Sequence, residues 1–195
     1  MKIFNIYRTE EVKVEDPGLK RYLNLDEKLV LKTSGRAREK FAKARVNILE
    51  RLANLLGVPG HRGKKHRIMT SHSSGKYSKN MKIVLESLRI IKEKTGQNPV
   101  QVLVKAIENA SPRDEITVIE YGGARYPQAV DISPLRRLNI TIRNIVHGAY
   151  DKAFNKKTKI ETALANEIIL ASENKAESFA MGKKNESEKQ ADSAR

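Results

Sequence analysis

The sequence predicts a mainly α protein, a bundle of five to six helices from which one β-hairpin protrudes. Two observations carry that reading. Between residues 34 and 171 apolar side chains recur at intervals of three and four, the period of helices with one buried face. A single run, Glu115 to Ile132, breaks this pattern with the strand-favouring Ile116, Val118, Ile119, Tyr121, Tyr126, Val130 and Ile132 placed about Gly122-Gly123.

In chain order, residues 1–32 are charge-balanced and mixed and read as a partly irregular N-terminal arm. Ser34 or Gly35 opens a first helix to about Leu56, with Phe41, Ala44, Ile48, Leu52 and Leu55 or Leu56 inward, and Gly57-Val58-Pro59-Gly60 ends it. After a loop to about Lys79, a second helix runs to Thr95 on Met81, Val84, Leu85, Leu88 and Ile91, and Gly96 stops it. Asn98 then caps and Pro99 starts a third helix, buried through Val100, Leu103, Val104 and Ile107 and closed by Ser111-Pro112.

The hairpin follows. Gly122-Gly123 supplies the positive φ angles of a two-residue turn, and strands of six or so residues reach roughly 20 Å. Ser133 caps and Pro134 begins a long helix to about Phe154, carrying Leu135, Leu138, Ile142, Ile145, Ala149 and Ala153 inward. Thr158 and Glu161 read as a capping box for the next helix, with Ile160, Leu164, Ile168 and Ala171. The polar tail 176–195 reads equally as a loosely docked helix or a disordered end. Residues 33–175 thus form the helical domain, with the hairpin at 115–132, and no repeat of solenoid length is visible.

Charge indicates the partner. The chain of 195 residues has 38 Lys and Arg against 23 Asp and Glu, a net +15. Residues 1–32 hold seven basic and six acidic groups and residues 160–195 five and seven, which leaves 26 basic against 10 acidic in the middle. Such a field repels itself unless a polyanion neutralises it, so nucleic acid is the expected partner. No window approaches the ~18 apolar residues of a membrane span, and Met1-Lys2-Ile3-Phe4-Asn5 runs quickly into charge, so neither a membrane segment nor a secretory leader is expected. The absence of cysteine removes disulfides, thiolate nucleophiles and Cys-rich zinc sites, and fits a reducing cytoplasm.

The expected first helix spaces Arg36, Lys40, Lys43, Asn47 and Arg51 at four, three, four and four, one polar stripe that Arg38 and Arg45 widen. From Arg51 through Leu85 there is no carboxylate, while Arg62, Lys64, Lys65, Arg67, Lys76, Lys79 and Lys82 are basic. That loop should order against phosphate. Within it Gly60-His61-Arg62-Gly63 matches only the bare GXXG of KH domains, with no mixed sheet to hold it. Gly63-Lys64-Lys65 lacks both the upstream Gly and the Ser or Thr of a nucleotide-triphosphate loop. His61, His66 and His72 have no zinc spacing, and no nucleophile elbow or paired-carboxylate motif is present, so neither metal, cofactor, small-molecule substrate nor catalysis is expected. His147 reads as a core or phosphate-facing histidine. At the hairpin, Tyr121 and Tyr126 offer rings and Arg125 a cation, with Glu120 opposite Arg125 and Ile119 opposite Tyr126.

Three segments carry a family resemblance: Asn98 to Arg113 (NPVQVLVKAIENASPR), Tyr121 to Arg137 (YGGARYPQAVDISPLRR) and Leu164 to Ala171 (LANEIILA). Collinear over roughly residues 34–195, they closely resemble the small-subunit ribosomal protein seven family in its archaeal and eukaryotic form. The resemblance implies a helical domain with a protruding hairpin, a structural constituent of the small ribosomal subunit. It further implies binding to the 3′ major (head) domain of small-subunit rRNA, nucleation of head assembly, and neighbours among the proteins of the head and platform. The hairpin, Tyr121, Gly122, Gly123, Arg125 and Tyr126, is then expected near the mRNA exit path and exit-site tRNA. Arg136, Arg137 and Arg143 match helix positions that face rRNA, and Arg113 joins the expected RNA-binding set. The loop 60–79 is longer and more basic than in the short bacterial form, and Asn185 to Asp192 is more polar than an amphipathic terminal helix. The alternative class is an architectural DNA-binding protein with a β-ribbon arm, which Gly-Gly at the apex disfavours because it supplies no apolar wedge.

Overall fold

The computed structural model describes residues 3–4, 6–33, 38–62, 67–68 and 75–195, with only the backbone at 61–62 and 67–68. Among them the helices are α1 (Pro17–Lys20), α2 (Ile48–Gly57), α3 (Tyr77–Thr95), α4 (Pro99–Ala110), α5 (Pro134–Ala153), α6 (Ile160–Ser172) and α7 (Phe179–Ser193). A two-residue pair, β1 (His61–Arg62) with β2 (Arg67–Ile68), lies in the basic loop, and β3 (Asp114–Tyr121) with β4 (Ala124–Asp131) makes the hairpin. The mainly α class with one protruding ribbon is as expected.

The central element is α6. It is apolar around most of its circumference, as a helix enclosed on several sides must be, and it packs against α3, α4, α5 and α7. Leu164, Ala165, Ile168 and Ala171 are buried there among Leu88, Ile91, Leu103, Ile107, Leu138 and Ile145 of the neighbouring helices. Glu167 is also fully buried. Its carboxylate accepts from Lys152 Nζ at 2.6 Å, from Ser178 Oγ at 2.7 Å and from the Ala180 N–H at 3.1 Å, so this buried charge fastens α5 and the start of α7 to α6.

Local signals placed three elements as read. Gly96 ends α3 in the left-handed conformation at φ 68°, and its N–H bonds the Lys92 carbonyl. Asn98 caps α4 through its side chain with Pro99 next. Gly122 and Gly123 turn the hairpin at φ 58° and 81°, pairing Tyr121 with Ala124, Glu120 with Arg125 and Ile119 with Tyr126.

Elsewhere the expectation needs correction. The first long helix does not start near residue 34: it starts at Ile48 behind an Asn47 cap, and Ala42–Arg45 is only a 3-10 turn. The cause is the N-terminal arm. Asn24 Nδ2 donates to the Arg45 carbonyl, the Ile48 N–H donates to Asn24 O, and Asn47 Nδ2 donates to Asp26 O, so groups a longer helix would use for itself are already engaged. Phe41, expected inside, stands exposed at φ 64°. The helix α6 is entered from Lys159 with no side-chain cap, so Thr158 and Glu161 form no capping box. Ser133 occupies the cap position of α5 without its hydroxyl bonding the helix.

The arm itself is irregular but packed. Ile3, Tyr7, Leu19, Leu23 and Leu31 belong to the core. Its backbone is tied to α4, where the Glu15 and Asp16 N–H groups donate to Glu108 and the Lys13 N–H donates to Gln101. The polar tail is the helix α7. Its Ser187 hydroxyl donates to Asp114 O, Lys184 to Asn109 O, and Arg195 pairs with Asp114 at 2.6 Å, so hydrogen bonds rather than an apolar stripe seat it against the root of the hairpin.

Candidate nucleic-acid interface

The basic groups do not form the single helical stripe that their spacing suggested. Asn47 is consumed as the α2 cap, and Arg51 is buried, donating to Asn139 Oδ1 at 2.7 Å and to the Tyr22 carbonyl at 3.4 Å. Burial pushes the Arg51 guanidinium down to about 10, which still leaves it charged at neutral pH. Lys43 and Arg143 lie on the exterior, and with Arg51 they line one cleft of about 410 Å³ between the segment leading into α2 and the middle of α5. Three cations from two distant parts of the chain thus converge on one concave surface, a geometry suited to a folded backbone of phosphates. Glu50 also lines the cleft, but its carboxylate is engaged by the Thr33 N–H and hydroxyl, both at 2.6 Å.

Arg38 and Lys40 are exposed, while Arg36 lies outside the described residues. In the basic loop, Lys64 and Lys65 also lie outside them, and Arg62 and Arg67 are described only as a backbone pair of β1 and β2. Lys76 and Lys79, at the start of α3, are exposed. The Tyr77 hydroxyl donates to the Leu31 carbonyl; burial, and then the Glu50 charge, raise its pKa to about 12.

Around the hairpin root the arginines divide. Arg113 is exposed, with its N–H held by Glu188. Arg136 makes a bidentate pair with Glu115, at 2.6 and 2.7 Å, which raises its already high pKa and fixes the root of β3 to the first turn of α5. Arg137 is only 9 % exposed and points inward, donating to Asp16 and to the Pro112 carbonyl, so its place is structural. Among the described residues the ribbon beyond its root carries no packing neighbour: Tyr121 is 81 % exposed, Tyr126 is exposed too, and Arg125 reaches only Glu120, at 3.5 Å. His147 is a buried core histidine whose Nε2 lies 2.6 Å from the Pro59 carbonyl.

Among the described residues no group of His, Asp and Glu is placed to hold a metal ion, and no helix is long and apolar enough to cross a membrane. The sequence over residues 20–195 matches the family model described as ribosomal protein S7p/S5e. The chain belongs to that family. It is therefore a structural ribosomal protein rather than an enzyme. Similar relatives, each named small ribosomal subunit protein uS7, come from Nanoarchaeum equitans (50 % identical, covering 100 % of this chain and 99 % of the relative), Methanothermobacter thermautotrophicus (48 %, 98 % of both) and Thermoplasma volcanium (42 %, 99 % and 100 %).

For this S7p/S5e member, the residue that spacing could not reveal is Arg21. It lies in the arm, outside every basic run, and the fold carries it beside Lys40 and Arg45. Asp16 and Glu167 were equally invisible as the partners of Arg137 and Lys152, because each meets its partner only through tertiary packing.

Proposed function

We propose that this chain is a structural constituent of the small ribosomal subunit that binds the 3′ major (head) domain of its rRNA and nucleates head assembly. In the same reading the hairpin lies near the mRNA exit path and the exit-site tRNA, the neighbours are proteins of the head and platform, and the site of action is the cytoplasm, within the ribosome. The observation that carries it is the convergence of Lys43, Arg51 and Arg143 on one cleft while the ribbon stands clear of the body with Tyr121, Arg125 and Tyr126 uncovered. A cationic concavity neutralises phosphates brought together by RNA folding, and a solvated ribbon with rings and a guanidinium meets single strands at a distance. The mechanism is neutralisation and positioning, with no bond made or broken.

The test is equilibrium binding of the full chain to separate transcripts of the 3′ major and 5′ domains of small-subunit rRNA at matched salt. The 3′ transcript should bind more tightly by at least an order of magnitude, within the usual range of specific over non-specific binding. Equal affinities would overturn the head-domain assignment.

A further inference from the structure

A second cationic cleft, of about 430 Å³, is lined by Arg21, Tyr22, Lys40, Phe41, Ala44 and Arg45. Phe41 is the unusual member. Its backbone sits at φ 64°, ψ 2°, a region bulky L-residues rarely adopt, and its ring is 59 % exposed. Held strain together with a ring left largely uncovered is the pattern found where a side chain is presented to a ligand. Arg21, Lys40 and Arg45 are exposed, and no carboxylate among the described residues pairs with any of them. Lys40 Nζ instead lies over the Phe41 ring, 5.5 Å from its centroid.

An acidic peptide would satisfy the three cations and leave the ring in water; an apolar protein surface would cover the ring and bury the cations unpaired. A nucleotide satisfies both at once, through a flat base and a charged backbone. We propose that this cleft takes one unstacked nucleotide of RNA, its base laid on the Phe41 ring and its flanking phosphates held by Arg21, Lys40 and Arg45. The proposal rests on the RNA-binding reading above and sharpens it, adding a base-stacking site to a surface otherwise described by charge.

The probe is the 3′ major domain transcript, bound by the full chain and by Phe41→Gly, Phe41→Leu and Arg21→Ala/Arg45→Ala across a salt titration. Glycine accepts the φ of residue 41 without strain, so Phe41→Gly should keep or raise the thermal midpoint, and misfolding cannot then explain a loss of binding. Both Phe41 variants should bind about five- to a hundredfold more weakly with the slope of log affinity against log salt unchanged. The double arginine variant should flatten that slope by about one unit per lost phosphate. Binding of both Phe41 variants within about twofold of wild type, beside normal wild-type binding, overturns the nucleotide site and leaves the RNA reading standing. A Phe41 effect seen only after another ribosomal protein is added overturns it in favour of protein docking, and a wild-type chain that ignores the transcript overturns both readings.

Discussion

Arg137 and Asp16, separated by 121 positions in sequence, meet at 2.8 Å with side chains only 11 % and 22 % exposed. The pair locks the short helix α1 to the start of α5, and so joins the N-terminal arm to the base of the hairpin. Burial alone would push the Asp16 carboxyl up; the Arg137 hydrogen bond, the Gly18 N–H, the Arg137 charge and the Leu19 N–H outweigh it and hold the pKa below its usual value of 3.8. A depressed carboxylate contributes its stability above the unfolded pKa and loses it as pH falls through the folded one. Asp16→Asn should therefore cost roughly 2 to 3 kcal/mol near neutral pH. That difference from wild type should shrink below about pH 4. Urea midpoints for the two chains at neutral and acid pH check this, and a difference independent of pH would show that charge contributes nothing to the contact.

Gly148 sets two effects of opposite sign against each other. Alanine favours helix over glycine by about 1 kcal/mol, but a Cβ here would meet Phe179 Cβ at 2.8 Å and Glu167 Cδ at 2.9 Å. Neither can retreat freely, because Phe179 opens α7 and Glu167 is held by Lys152, Ser178 and Ala180. Overpacking of this kind costs about 1 to 3 kcal/mol, so Gly148→Ala should destabilise on balance. Thermal unfolding reads the sign directly, and a raised midpoint would mean that α7 yields easily.

The exposed tip makes the ribbon suitable for directed probing, since the chain has no cysteine to compete with an introduced one. Tyr121→Cys carrying a tethered iron chelate, reconstituted into small subunits with mRNA and exit-site tRNA, should cleave those RNAs. Cleavage confined to the interior of the head rRNA would place the tip elsewhere.

In the basic loop, replacing Lys64, Lys65 and Arg67 together by Ala should flatten the salt slope of rRNA binding by about two to three units, one per lost phosphate contact. A titration with an unchanged slope would show that these side chains are merely solvated.

Elements governed by neighbouring residues could be read directly. Asn98-Pro99 opens α4, Gly96 closes α3 and Gly122-Gly123 turns the ribbon because capping and positive φ are local requirements. The start of α2 could not, since Asn24 and Asp26 take up the backbone and side chain around Asn47 from more than twenty positions away. Arg137 looked like its neighbour Arg136 in a charge map; only packing shows that one faces Asp16 and the other faces outward onto Glu115. The sequence left α7 open between a docked helix and a disordered end for a related reason. Its seat combines hydrogen bonds of Lys184, Ser187 and Glu188 with the scattered buried residues Ala180, Met181 and Ala191, which make no apolar period to detect.

In the proposed division affinity lies with the body and placement with the hairpin, and parallel binding curves test it. The measurement is the affinity for the 3′ major domain transcript of wild type, of Lys43→Ala/Arg143→Ala, and of a chain lacking Gly122 to Tyr126, across a salt titration. The cleft variant should bind more weakly with a slope shallower by up to about two units, while the chain with the hairpin tip deleted should match wild type within about threefold. A hairpin-tip deletion that abolishes binding while the cleft variant is unaffected would contradict that division.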